Sequence, residues 1–152
     1  MNYQLLSGND NATILVKNQI AQFLDEHLEQ YGDNILSIHK CLDFALSKYP
    51  HQGGFVILAR ENDTLRGAAV MCKTGMDSFV PENLLVYLAV HTDYRGEGIG
   101  KTLLDKALNF AKGDVALHVE ADNPAVQFYE AAGFQKKYTE MRLQRQRTFY
   151  GL

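Results

Sequence analysis

The chain has 152 residues, 46% of them apolar and 22% charged, which suits one soluble globular domain spanning residues 1–152 and enclosing a single core. A formal net charge of −3 argues against a nucleic-acid partner, and no apolar run reaches the ~20 residues of a membrane span. The opening Met1-Asn2-Tyr3-Gln4-Leu5 lacks the basic and apolar regions of a signal peptide, and Cys41 and Cys72 have no Cys-x-x-Cys spacing; reduced thiols and a cytoplasmic location are expected.

Tyr3 to Leu6 reads as a short first strand, ended by Ser7-Gly8-Asn9-Asp10. From about Ala12 to Tyr31, Val16, Ile20, Phe23, Leu24, Leu28 and Tyr31 recur at helical spacing. Gly32 stops that helix, and Asp33 or Asn34 caps a second, which carries Ile35, Ile38, Leu42, Ala45, Leu46 and Tyr49 up to Pro50. Phe55 to Arg60 and Leu65 to Lys73 form a hairpin across the turn Glu61-Asn62-Asp63-Thr64. A loop over Gly75 to Asn83 precedes a fourth strand, Leu84 to Val90. A third helix follows, with Ile99, Leu103, Leu104, Ala107, Leu108 and Ala111 on its apolar side and Lys112-Gly113 at its end. Val115 to Val119 reads as strand five, Asn123 to Ala132 as helix four, and Phe134 to Leu143 as strand six; Gln144 to Tyr150 offers a seventh.

The order β-α-α-β-β-β-α-β-α-β is not a regular βαβ alternation. It predicts an α/β protein of the α+β type, with a mixed, mostly antiparallel sheet of six to seven strands flanked by four helices. Only strands four and five, joined through the third helix, need be parallel.

Between strand four and helix three lies His91-Thr92-Asp93-Tyr94-Arg95-Gly96-Glu97-Gly98-Ile99-Gly100-Lys101. The first amides of a helix have no intrahelical partner, the helix dipole adds positive charge there, and glycines admit an anion close to the backbone. The stretch therefore predicts a pyrophosphate site. A nucleotide triphosphate loop would need glycine where Arg95 stands, and a dinucleotide fingerprint would need one at Lys101. What fits is Arg-x-x-Gly-x-Gly (Arg95, Gly98, Gly100) after Leu88-Ala89-Val90. That pattern resembles the acetyl-CoA-binding motif of the GNAT superfamily of N-acetyltransferases. Further on, Asn123-Pro124-Ala125-Val126-Gln127-Phe128-Tyr129-Glu130-Ala131-Ala132-Gly133-Phe134 resembles the superfamily's other block, an Asn-containing turn opening a helix that ends in Tyr-x-x-x-Gly-Phe. Together the blocks cover about residues 84–143.

The resemblance implies a fold in which strands four and five splay apart and the pantetheine arm bonds to strand-four backbone. By position, Leu88, Ala89 and Val90 would supply those bonds. Arg95, Gly96, Glu97, Gly98, Ile99, Gly100 and Lys101 would hold the pyrophosphate. Asn123 would contact the cofactor arm or cap its helix, with Asp122 as an alternative. The implied activity is acetyl transfer from acetyl-CoA to a primary amine, of a small molecule or a protein, by direct attack in a ternary complex. A CoA-bound interaction module without turnover is the rival reading. The resemblance implies no metal, and the expected assembly is a monomer or homodimer.

Such a transfer requires an unprotonated amine and a proton for the leaving thiolate. Tyr129, placed as the family's tyrosine, is the candidate acid. For the base, the strand-four position where some relatives carry an acid is Leu84, and the strand-five position falls at Leu117 or His118. Glu82, on the same side of an extended strand as Leu84, and His118 are the candidates, beside deprotonation through ordered water. Residues 1–50 hold six acids (Asp10, Asp25, Glu26, Glu29, Asp33, Asp43) against three lysines, a balance that suits a cationic acceptor or a solvated helix face.

Overall fold

The computed structural model describes residues 1–146 and gathers the chain into two compact units, Met1–Leu117 and a smaller one beginning at His118. The larger unit is built on one five-stranded sheet: β1 (Asn2–Leu6), β2 (Gly54–Glu61), β3 (Thr64–Lys73), β4 (Asn83–Val90) and β5 (Val115–Leu117), adjacent in that order. All pairings are antiparallel except β4 with β5. Three helices accompany them: α1 (Ile14–His27), α2 (Ile35–Ala45) and α3 (Ile99–Phe110). The smaller unit contains α4 (Ala125–Ala131). The expected mixed α/β architecture is thus present.

Alternation along the central strands fills both faces of the sheet. Val56 and Leu58 of β2 and Ala68, Val70 and Cys72 of β3 pack with Ile20, Leu24, Ile38 and Leu42 of α1 and α2. Phe55, Ile57, Ala69 and Met71 lie between them in sequence, so they turn to the opposite face. There α3 contributes Ile99, Leu103, Leu104 and Ala107, all buried, and the Phe55 and Phe110 rings meet edge-on with centroids 4.8 Å apart. The helix lies so close that a Cβ on Gly67 of β3 would sit 2.6 Å from Leu103 Cδ1. Absence of a side chain at Gly67 lets α3 reach the sheet.

Four expectations change. The first helix stops at His27 rather than Tyr31, because Glu29 adopts a left-handed backbone (φ 56°) that an α-helix cannot contain. The second ends at Ala45, before Tyr49 and Pro50. The fifth strand is only three residues long. Phe134 to Leu143 form no strand, so the described residues carry five strands instead of six or seven. Phe134, Tyr138, Met141 and Leu143 do not alternate strictly, Tyr138, Met141 and Leu143 are exposed, and a strand without a paired neighbour has little to hold it. Of the seventh-strand segment, Gln144–Gln146 form no strand and the remainder lies outside the described residues.

Leu103 is fully buried under α3. Leu103→Ala is expected to destabilise the protein by about 3 kcal/mol, through lost transfer energy plus a residual cavity. The shift in a urea denaturation midpoint, at unchanged slope, measures it.

Candidate active site

The β4 strand has two different neighbours along its length. At its start, Asn83 is buried, and its Nδ2 donates to the carbonyls of Lys112 (2.7 Å) and Asp114 (3.2 Å). That contact clamps the loop before β5 at the start of β4, and β5 pairs with Asn83, Leu84 and Leu85. Immediately beyond, the register against β3 slips: Met71 faces Leu85 but Val70 faces Tyr87, leaving Val86 as a bulge. A bulge bends its strand and increases the local twist. Past it, among the described residues, β4 pairs with β3 alone.

The register also settles where the free backbone groups point. His91 N–H donates to the Arg66 carbonyl (2.9 Å), so Val90 and Gly67 form a non-hydrogen-bonded pair. Ala89, opposite Ala68, then directs its N–H and C=O at β3, while Leu88 and Val90 direct theirs away from it. Of the three strand residues expected to hold a pantetheine arm, Leu88 and Val90 have the outward-facing groups.

After β4, a single 3-10 turn (Thr92–Tyr94) leads through Arg95, Gly96 and Glu97 to Gly98, the residue before α3. Gly96 (φ 82°) and Gly98 (φ 84°) both occupy the left-handed region that favours glycine. No side chain caps α3, and its first internal bond runs from Thr102 N–H to the Gly98 carbonyl (3.1 Å). The amides of Ile99, Gly100 and Lys101 precede that bond and are the orphan donors of the helix start. A Cβ on Gly96 or Gly98 would meet no heavy atom within 4 Å, so space lies open over the turn. The Lys101 ammonium is exposed and pairs with Asp105 (3.0 Å).

Arg95 does something the sequence did not suggest. Its side chain folds away from the glycines toward α1. Nε donates to the Val90 carbonyl (3.2 Å), Nη2 to the His27 carbonyl (2.8 Å) and Nη1 to Glu29 Oε1 (3.0 Å). The His27 carbonyl is one of the unpaired acceptors at the end of α1, where the helix dipole favours a cation. The left-handed Glu29 that ends α1 supplies the carboxylate. Beside it the His27 ring, buried, accepts a hydrogen bond from Thr92 N–H at Nδ1 (3.3 Å) and packs on the His91 ring with centroids 4.1 Å apart. Tyr94 lies under the Arg66 guanidinium, 3.8 Å from its ring centre. Apart from the Arg95–Val90 bond, none of these contacts has a local sequence signature, since each joins positions far apart in the chain.

The candidate catalytic groups fall as follows. Glu82 is half-buried just before β4, at the end remote from the glycines. Its carboxylate accepts from Asp114 N–H (3.4 Å) and packs where a Cβ on Gly113 would go. In the smaller unit, His118 is exposed. Asn123 Oδ1 accepts from Ala125 N–H (2.9 Å), which makes it a helix-capping group, while Asp122 is exposed. Tyr129 packs edge-on between Phe128 and Phe134, and burial pushes its phenol up to about 12. Among the described residues, no cluster of three or more His, Cys, Asp or Glu could hold a metal.

A profile of the acetyltransferase (GNAT) family matches residues 18–134, more than half the chain. The chain belongs to the GNAT acetyltransferase family. It is 32% identical over 109 residues to N-alpha-acetyltransferase 30 of Schizosaccharomyces pombe, covering 64% of this chain and 72% of that protein. It is 38% identical over 81 residues to N-alpha-acetyltransferase RimI of Mycobacterium tuberculosis, covering 51% of this chain and 50% of that protein. A match of the same identity to a protein of Mycobacterium leprae spans only 22% of that longer chain. Among solved structures, the aminoglycoside N-acetyltransferase AAC(6')-Iy in complex with CoA shares the fold, with a TM-score of 0.66 over 95% of both chains at 15% identity.

GNAT proteins use acetyl-CoA, and the donor set of the glycine turn fits the diphosphate of such a substrate: three orphan amides, an uncapped helix and open space above two glycines. Most of the acids in the first 50 residues have local partners. Glu29 holds Arg95, Asp43 holds Lys17, Asp33 accepts from the Tyr87 hydroxyl, Asp10 caps the Ser7 turn and Glu26 faces His27, which leaves Asp25. Both cysteines are free thiols, with sulfurs 3.8 Å apart between α2 and β3. An open depression of about 660 Å³ lies by β1 and the start of α1, lined by residues such as Tyr3, Asp10, Thr13 and Arg60, and includes no residue of the glycine turn or of the candidate catalytic set.

Arg95→Ala removes two charge-assisted bonds to carbonyls along with the Glu29 contact. Amide hydrogen exchange over Thr92–Gly96 is expected to accelerate roughly tenfold, as loss of such bonds releases a local segment rather than the whole fold.

Proposed function

We propose that this GNAT protein is an N-acetyltransferase that moves the acetyl group of acetyl-CoA directly to a primary amine in a ternary complex. The observation that carries the reading is the pairing of an uncapped, glycine-opened helix start with a β4 edge whose Leu88 and Val90 groups have no strand partner on that side. The turn from Arg95 to Lys101 takes the diphosphate, and Leu88 and Val90 take the pantetheine amides. Tyr129 protonates the departing thiolate. A phenol held near 12 by burial stays protonated throughout the neutral range, as an acid must. Arg95 acts from behind the turn, through Val90, His27 and Glu29, rather than on a phosphate.

The acceptor we favour is an α-amine of a peptide or protein. Two curated relatives are named as N-alpha-acetyltransferases. The proton chemistry points the same way. Glu82 accepts from Asp114 N–H at the end of β4 remote from the glycines, which supports a reading in which the amine proton is lost through water. At about pH 8, an α-amine with a reference pKa near 8 is about half neutral, whereas a lysine amine near 10.4 is about 0.4% neutral. A site without a dedicated base suits the former. The protein acts in the cytoplasm, as a monomer or homodimer, without a nucleic-acid, membrane or metal partner.

Gly98→Asp places a carboxylate over the helix start at a backbone angle Asp tolerates. CoA affinity, measured by calorimetric titration, is expected to weaken about a hundredfold by repulsion and bulk, with Gly98→Asn, which lacks the charge, well inside that loss. Unchanged affinity in the Asp variant refutes the turn assignment. Tyr129→Phe is expected to lower kcat for peptide α-amine acetylation by roughly two orders of magnitude or more while CoA binding persists. Tight acetyl-CoA binding without turnover on any peptide or small amine would instead identify an interaction module.

A further inference from the structure

His27 lies on α1, outside both motif blocks, yet touches the turn more intimately than any other α1 side chain. Its Nδ1 accepts from Thr92 N–H at 3.3 Å, so the ring proton sits on Nε2, facing Glu26 Oε2 at 3.8 Å. The Phe23 ring (4.6 Å between centroids) and the His91 ring (4.1 Å) both pack against it. Its own carbonyl takes the Arg95 guanidinium. One residue therefore holds both ends of the segment Thr92–Arg95, from which the glycine turn departs.

We propose that His27 is a positioning residue for the coenzyme turn: its neutral imidazole fixes Thr92, and protonating it releases the turn and weakens coenzyme A binding. The proposal rests on the reading that this turn takes the diphosphate. A protonated imidazole carries N–H at both nitrogens, so Nδ1 would oppose Thr92 N–H instead of accepting from it. The charged and titratable groups facing the ring are Glu26 on its own helix, and His91, Asp93 and Arg95 on the turn. Burial, His91 and Arg95 disfavour the cation, against Glu26 and Asp93, and the result lies below the ordinary 6.5. With its folded value lowered, the neutral contact is intact above about pH 6.5 and is lost as pH falls through the lower value. An imidazolium would attract a diphosphate through space, but the Glu26 and Asp93 carboxylates beside it offset that field.

The test compares coenzyme A affinity by calorimetric titration in wild type, His27→Asn and His27→Phe, from about pH 7.5 to about pH 5. Asn offers an oxygen near the Nδ1 position at every pH in that range; Phe keeps the ring and removes the acceptor. At about pH 7.5, Phe is expected to weaken binding roughly five- to tenfold and Asn to stay within about twofold of wild type. On acidification, the wild-type affinity is expected to fall below that of the Asn variant by a similar factor. The ligand's own phosphates are common to all three measurements, so the wild-type-to-Asn ratio reports on position 27. A ratio that stays constant with pH, or that rises on acidification, overturns the proposal; if His27→Phe fails to fold, that ratio still decides. No coenzyme A binding by wild type at any pH would refute instead the reading of the turn on which it rests.

Discussion

Among the described residues, half of β4 has a paired strand on one side only, and the candidate site depends on that. A backbone N–H or C=O held away from both protein and water costs about 1–3 kcal/mol, so folded chains pair theirs almost everywhere. Here β5 stops after Leu85, clamped by Asn83 to the start of β4, and the Val86 bulge turns the rest of the strand. The outward N–H groups of Leu88 and Val90 and the first amides of α3 are then donors left over by the secondary structure, while the Val90 carbonyl accepts from Arg95. Groups that cannot be satisfied by their own secondary structure are suited to a long, amide-bearing, anionic substrate.

The exposed turn must nevertheless be held still, and the support comes from the side away from the glycines. A cation at the end of α1 satisfies helix carbonyls while tying down Val90, and the Glu29 backbone reversal that ends α1 places a carboxylate on the same guanidinium. Exposed ion pairs contribute little by themselves. The strength here lies in the carbonyl bonds and in the half-buried stack of His27, His91 and Tyr94 under Arg66. Meanwhile α3 is seated on the sheet through Gly67, so the turn is fixed at both ends by elements from the core.

Local chemistry was legible in the sequence, and long-range pairing was not. Glycines at 96, 98 and 100 after a hydrophobic strand announce a left-handed turn and an uncapped helix, because each effect acts within a few residues. Apolar runs bounded by turn residues placed β2, β3 and β4 for the same reason. The Val86 bulge has no such mark: it exists only relative to β3, and it decides that Ala89 faces Ala68 while Leu88 and Val90 do not. Arg95 carries the motif that suggests phosphate, yet its partners lie 66 and 68 residues away. Phe134 to Leu143 show the converse failure, strand propensity without a paired edge. The early acids suited either a cationic acceptor or a solvated helix face, and most of them have partners within the protein.

The central claim is that backbone donors from Leu88 to Lys101 receive coenzyme A. It is tested most directly by following backbone amide resonances during titration with CoA. The account predicts the largest shifts at Leu88, Val90, Gly96, Gly98, Ile99, Gly100 and Lys101, with Ala89 moving much less than the residues on either side of it. Saturable binding whose shifts fall elsewhere, or that moves Ala89 as strongly as Leu88 and Val90, would contradict it.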